Sequence, residues 1–190
     1  MMTVRKNQSY SSGTYFITFT CYNWLPLIEI ADAYDEVYKQ FTILRSEGHE
    51  INGYVIMPNH VHLLIRFNTM DEHEGYINKR IGNMKRFLAY AIIEKLKAKN
   101  AFSILRKLED AVSKVGLHRN KKHQIFEPSF DCKHCYTENM ILAKLEYMHN
   151  NPIKGKWNLA PDTISYKHSS ALYYLTGIQG NYFVDHFLGK

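Results

Sequence analysis

Residues 14–22 alternate, with Ile17, Phe19 and Cys21 on one side and Phe16, Thr18, Thr20 and Tyr22 on the other. A period of two in β-branched and aromatic residues predicts a first strand. Over residues 31–44 the period changes. Tyr34, Val37, Tyr38, Phe41 and Leu44 recur at helical spacing with Asp35, Glu36, Lys39 and Gln40 between them, which predicts a helix ending near Gly48. The apolar runs 51–57 and 60–67 are separated only by Pro58 and Asn59. Two turn-favouring residues between two such runs predict an antiparallel pair with a tight connection.

The second half repeats the logic less cleanly. Ile81, Met84, Phe87, Leu88, Ala91, Ile92 and Leu96 give a helical stripe over 79–99, and 100–122 is basic with scattered apolar positions, a further helical piece and a loop. Pro128 makes 123–132 an edge strand or extended loop. Thr137 is a suitable N-cap for a helix carrying Met140, Ile141, Leu145 and Met148, which Asn151-Pro152 stops. The tail, 166–175, is a short helix or strand. The order β-α-β-β-α-(β)-α predicts an α+β fold, a ferredoxin-like split β-α-β with an antiparallel sheet and helices on one face.

Composition narrows the class. With 190 residues, 45% hydrophobic and 22% charged, the chain has apolar area enough for one well-cored globular domain and does not read as disordered. The domain is expected to span 1–190, with its core at about 12–175 and a basic insertion near 95–122. No run approaches the roughly 18 apolar residues of a membrane helix, and the first residues hold no secretory apolar region, so the expectation is a cytoplasmic protein without a membrane partner. Cys21, Cys132 and Cys135 make no disulfide framework. Cys132 and Cys135 have C-x-x-C spacing, but no second ligand pair matches it for structural zinc, so they are read as thiols.

Candidate chemistry begins at His60-Val61-His62. In a strand, positions i and i+2 share a face, with Cα atoms roughly 7 Å apart, so both imidazoles can reach one cation. The same pair also reads as two surface histidines on an open sheet face. Leu63, Ile65 and Phe67 join Val61 on the more apolar face, which is expected against the helices. In the last long helix Tyr147 and Asn151 stand at i and i+4, so a phenol and an amide project together; the plainer reading is a rim aromatic and a helix-end amide.

Residues 53–65 (GYVIMPNHVHLLI) and 145–153 (LEYMHNNPI) together resemble the single-tyrosine HUH transposases, and are most similar to the REP-associated tyrosine transposase branch. The resemblance extends to Ile17-Thr18-Phe19, Leu25-Pro26-Leu27, Lys85-Arg86 and the tail 166–171. It implies an enzyme, a DNA-nicking and strand-transfer transposase, that cuts and rejoins single-stranded DNA at hairpin-bearing element ends through a 5′-phosphotyrosine on Tyr147. It also implies a divalent metal, Mg²⁺ or Mn²⁺, held by His60, His62 and Asn151, with His149 the lesser substitute for the amide. Two imidazoles and an amide by themselves would equally accept Mn²⁺, Co²⁺ or Zn²⁺. A homodimer is possible within the family, as is action by a monomer.

Charge then acquires a place. The chain carries a formal +6, yet residues 79–122 hold 13 Lys or Arg against 3 acids, a local +10 that leaves the remainder at −4. This basic arm is expected to grip DNA backbone, with Lys85, Arg86, Arg119, Lys121 and Lys122 as phosphate partners and Tyr166 and Tyr173 as residues that stack on bases or sit in the core. Two rival readings use the same features. One is a domesticated enzyme that nicks REP elements without mobilising its own gene. The other is a non-catalytic nucleic-acid-binding module of ferredoxin-like fold, which needs neither Tyr147 nor the histidines.

Overall fold

The computed structural model describes residues 12–68, 76–118, 120–155 and 157–189. Strand β1 (Gly13–Thr20) is followed by a short helix α1 (Leu27–Ala31), helix α2 (Tyr34–Ser46), and strands β2 (Glu50–Ile56) and β3 (His60–Phe67). Helix α3 (Tyr76–Ala98) leads through α4 (Phe102–Asp110) and α5 (Lys114–His118) to strand β4 (Asp131–His134), helix α6 (Glu138–His149) and a terminal helix α7 (Ala171–Thr176). The strands form one sheet in the order β2-β3-β1-β4, antiparallel at every pairing. That order, with β1 and β3 central, is the split β-α-β arrangement expected from the sequence.

The alternation along β3 decides how the sheet is covered. Val61, Leu63, Ile65 and Phe67 are fully buried against Val37 and Phe41 of α2 and Ile81, Leu88 and Ile92 of α3. The expectation of helices on one face holds for these elements, and α6 departs from it. Ile141, Leu145 and Met148 of α6 pack with Phe16, Val55 and Leu64 on the opposite face. Those three sheet residues give the second face an apolar half of its own, so it attracts a helix instead of standing open.

A β-bulge at Asn52 and the absence of a side chain at Gly53 let α6 lie close to β2. A Cβ on Gly53 would stand 2.6 Å from Met148 Cε and 2.7 Å from Leu145 Cδ2. The N-terminus of α6 is fixed by Thr137, whose side chain accepts from the Met140 N–H as its cap. The helix ends at His149, and a 3₁₀ turn (Asn151–Ile153) carries Pro152.

Other boundaries shift for identifiable reasons. The 123–132 strand is realised later, as β4, because Pro128 separates it from Phe126, which makes only an isolated bridge to Cys21. In the basic stretch expected as a helical piece and a loop, 102–110 form α4 and 114–118 form α5, continuing the α3 layer with Leu105 and Leu108 in the core. The tail runs along the outer edge of β2: Ile56 N–H bonds His168 O and Ser170 N–H bonds Tyr54 O. An edge strand is thereby covered. Tyr166 is buried, donating to Ile56 O at 2.8 Å, and so takes the core role of its two readings.

Candidate active site

The β1–β3 register sets His60 opposite Thr20 and His62 opposite Thr18, on the α6 side of the sheet. Both histidines are buried, and their rings meet edge to face with centroids 4.7 Å apart. Each Nδ1 is occupied. His62 Nδ1 is 2.7 Å from Thr18 Oγ1, and His60 Nδ1 is 2.6 Å from Asn59 Oδ1. The second bond fixes a tautomer. Asn59 Nδ2 donates to the Trp24 carbonyl at 3.2 Å, so it is the amide oxygen that faces His60. His60 must therefore carry its proton on Nδ1, which leaves the Nε2 lone pair bare.

His62 Nε2 is buried with no protein partner. An orphaned buried nitrogen of this kind calls for a ligand. Burial pushes His60 down to about 4. Burial, then the neighbouring His60 and Lys144, push His62 down to about 3. Both rings are thus neutral at neutral pH, the form in which imidazole binds a metal. Two neutral imidazoles on one face, one with its Nε2 freed by Asn59 and the other with its Nε2 unpartnered, fit a divalent cation. Among the described residues no group of three or more His, Cys, Asp or Glu gathers as a metal cluster, so a third protein ligand here would come from another residue type such as an amide.

Helix α6 brings the phenol to this face. The Tyr147 ring stands 5.3 Å from His62 and 6.1 Å from Phe16, edge to face with both, and the residue is 55% exposed. Phe16 in turn stacks on His62 at 5.2 Å. One turn earlier on α6, Lys144 Nζ lies 4.9 Å above the Phe16 ring and 5.7 Å from that of Tyr147. A half-exposed phenol, a cation and two buried neutral imidazoles thus lie together on one face of the sheet. Asn151 lies a turn beyond Tyr147, with its Nδ2 3.4 Å from the Tyr147 carbonyl. His149 points elsewhere: it is buried, with Nε2 2.8 Å from Ser170 Oγ.

The basic residues divide. Lys85, expected at a phosphate, is buried, and its Nζ donates to the carbonyls of Glu127 and Ser129 at 2.8 and 2.9 Å. It ties α3 to the segment before β4. Arg86, the next residue, is exposed, its guanidinium 4.9 Å from the Phe87 ring. Lys121 Nζ donates to Gln124 Oε1 at 2.7 Å, and Lys122 is exposed. Arg119 lies outside the described residues. Cys21 and Cys135 are buried thiols and Cys132 is half-buried; burial raises the first two above the ordinary thiol range.

Four residues near the site were not singled out by spacing: Asn59, Thr18, Lys144 and Trp24. Asn59 reads as a turn residue, since nothing in its type announces that its side chain folds back onto the next residue, His60; Thr18 reads as ordinary strand alternation, because its bond to His62 depends on register. Lys144 had a local signal, standing three residues before Tyr147 on one helical face.

No family model matches the chain, and no curated protein does. Among solved structures, a REP-associated tyrosine transposase bound to a REP hairpin superposes with a TM-score of 0.62 at 16% identity, covering 93% of this chain and 87% of that one. A candidate transposase from Deinococcus radiodurans R1 reaches a TM-score of only 0.35 at 19% identity, over 77% of this chain and 97% of that one, too little to argue from. The antiparallel sheet, the helix across its histidine face and an alignment that spans 93% of the chain thus give this chain the fold of the REP-associated tyrosine transposase.

Proposed function

We propose that this chain is a transposase that cuts and rejoins single-stranded DNA at hairpin-bearing ends, with Tyr147 as nucleophile. The observation that carries the reading is the seating of Tyr147 beside His62, on the sheet face where His62 Nε2 is buried without a partner. A non-catalytic binding module has no use for a neutral imidazole pair oriented in this way. The fold likeness to a transposase bound to a REP hairpin supports a DNA hairpin as the partner.

In the reaction the phenolic oxygen of Tyr147 attacks the scissile phosphorus in line with the 3′-oxygen. A tyrosine–phosphorus bond forms as the P–O3′ bond breaks; the phenolic proton passes to solvent and the departing 3′-oxygen acquires one. The 5′ end stays on the protein, so a later 3′-hydroxyl can attack the phosphotyrosine and restore a phosphodiester. Bond number is conserved and no nucleotide triphosphate is consumed. His60, His62 and Asn151 would hold Mg²⁺ or Mn²⁺, which when bound neutralises charge on the non-bridging oxygens. Asn59 and Thr18 hold the two Nδ1 atoms and so leave each Nε2 for a metal, and Lys144 adds a positive charge beside the nucleophile.

The test is a covalent one. A labelled single-stranded hairpin with flanking tails, incubated with the protein and Mn²⁺, should become denaturation-resistant protein–DNA adduct. The adduct should disappear in Tyr147→Phe and in His60→Ala/His62→Ala while hairpin binding persists. An equal yield from Tyr147→Phe would remove the nucleophile from this reading.

A further inference from the structure

Beside the histidine pair, one strand further towards β4, lies a cleft of about 140 Å³ lined by Thr18, Thr20, Trp24, Glu127, Phe130 and Asp131. Its floor belongs to the same residue row as the site: Thr18 pairs with His62 on one side and with Asp131 on the other. Trp24 joins the two regions, its ring 5.9 Å from that of His60 and its surface 60% exposed. We infer that this cleft is a subsite for one unpaired nucleobase of the strand being cut, and that it favours bases bearing an exocyclic amine. This rests on the function proposed above.

The wall is held in place by bonds that packing alone would not require. Asn23 and Trp24 both sit in the left-handed region, at φ 49° and 57°, a conformation side chains other than glycine seldom adopt. Asn59 grips the Trp24 carbonyl, and the Asn23 N–H donates to Glu127 Oε1 at 2.8 Å. The opposite wall is braced by Lys85, bonded to the carbonyls of Glu127 and Ser129 and 5.9 Å from the Phe130 ring. The result is an exposed indole carried on an anchored main chain at the edge of a polar slot, an arrangement suited to stacking on a base.

The lining chooses the ligand class. Two carboxylates, Glu127 and Asp131, disfavour a phosphate. Aromatic surface on Trp24 and Phe130 adds nothing for a hydrated divalent cation, which prefers an all-oxygen surround. Carboxylates accept hydrogen bonds from base N–H groups, as on cytosine N4, and an unpaired base presents that edge freely. Thymine, whose single N3–H is flanked by two carbonyl oxygens that carboxylates repel, satisfies such a site least.

The test uses the full-length protein and fluorescent single strands of oligo(dT) with no substitution or with one dC, dA or dG, scanned across the strand 5′ and 3′ of a hairpin. Binding should strengthen by about tenfold when an amine-bearing base occupies one particular position. Asp131→Asn should level that preference, and Trp24→Ala should weaken all strands by about five- to tenfold, with Trp24→Phe restoring most of the loss. A preference that is absent, or that survives Asp131→Asn unaltered, overturns the subsite. So does a change in metal requirement in place of base preference. Covalent adduct on Tyr147 is read in parallel: a preference without adduct sinks the catalytic reading and leaves the cleft, whereas adduct without preference sinks only the cleft.

Discussion

Asn59 holds the Nδ1–H of His60 at 2.6 Å while its amide nitrogen holds the Trp24 carbonyl, so one buried side chain orients a candidate metal ligand and anchors the main chain of the exposed Trp24 beside it. Outer partners of this kind set ligand tautomer and direction, and their loss commonly costs about 10- to 100-fold in metal affinity or activity. Asn59→Ala should therefore raise the Mn²⁺ concentration needed for half-maximal adduct by a factor in that range. Asn59→Asp, which keeps an acceptor for His60, should recover part of it. Titrating Mn²⁺ against adduct yield at fixed DNA checks this, and identical titration curves for Asn59→Ala and the parent would reject the positioning role.

Gly53 makes the second prediction. Its missing Cβ is what lets Leu145 and Met148 of α6 seat against β2. Gly53→Val inserts a branched side chain where even a Cβ would overlap both, so α6 must move, carrying Tyr147 away from His62. The variant should melt several degrees lower and form adduct more slowly than its loss of folded protein accounts for. A rate that scales only with the folded fraction would show that α6 seating does not control the nucleophile.

How far the sequence reaches follows from the range of each interaction. β1, β2, β3, α2, α3 and α6 are written in local periodicity, and the adjacency of His60 and His62 needs only the pleat of one strand. What joins that strand to Tyr147 is a second apolar half-face made by Phe16, Val55 and Leu64 on three strands, visible only once register is known. For the same reason alternation alone predicted an open histidine face. Lys85 shows the limit for charges. Its residue type and helical position suit a phosphate contact, while its burial depends on carbonyls more than 40 residues away.

The tail supplies a pH dependence. His168 stacks on Tyr34 with centroids 3.8 Å apart and bonds the Tyr38 hydroxyl at 3.0 Å. Burial, with help from Lys167 and against Asp35 and Asp32, pushes it from the ordinary 6.5 down to about 4. The unfolded chain then takes up this proton more readily than the folded one. The contribution of His168 is complete above about pH 6.5 and is lost progressively as pH falls towards 4. His168→Phe keeps an aromatic ring on Tyr34 and removes the titration. Thermal midpoints measured from pH 7 to pH 4 should fall more steeply for the parent than for the variant, and parallel curves would refute the assignment.

Lys85 and Arg86 adjoin in sequence, yet the structure gives them opposite tasks, and that separation can be measured. Lys85 is buried and donates to two carbonyls of the segment before β4, so Lys85→Met leaves those acceptors without their charged donor. It should lower the melting temperature and loosen the cleft wall at Phe130, while the salt dependence of DNA binding stays as it was. Arg86 is exposed on the basic arm, so Arg86→Ala should leave the melting temperature nearly unchanged. It should weaken hairpin binding to all sequences alike and reduce the slope of log K against log salt by about 1, as expected for one phosphate contact released. Binding isotherms at four or more salt concentrations, with melting curves on the same preparations, separate the two. Equal salt slopes for Arg86→Ala and the parent would remove Arg86 from the DNA contact surface, and a reduced slope in Lys85→Met at unchanged stability would put Lys85 back on it.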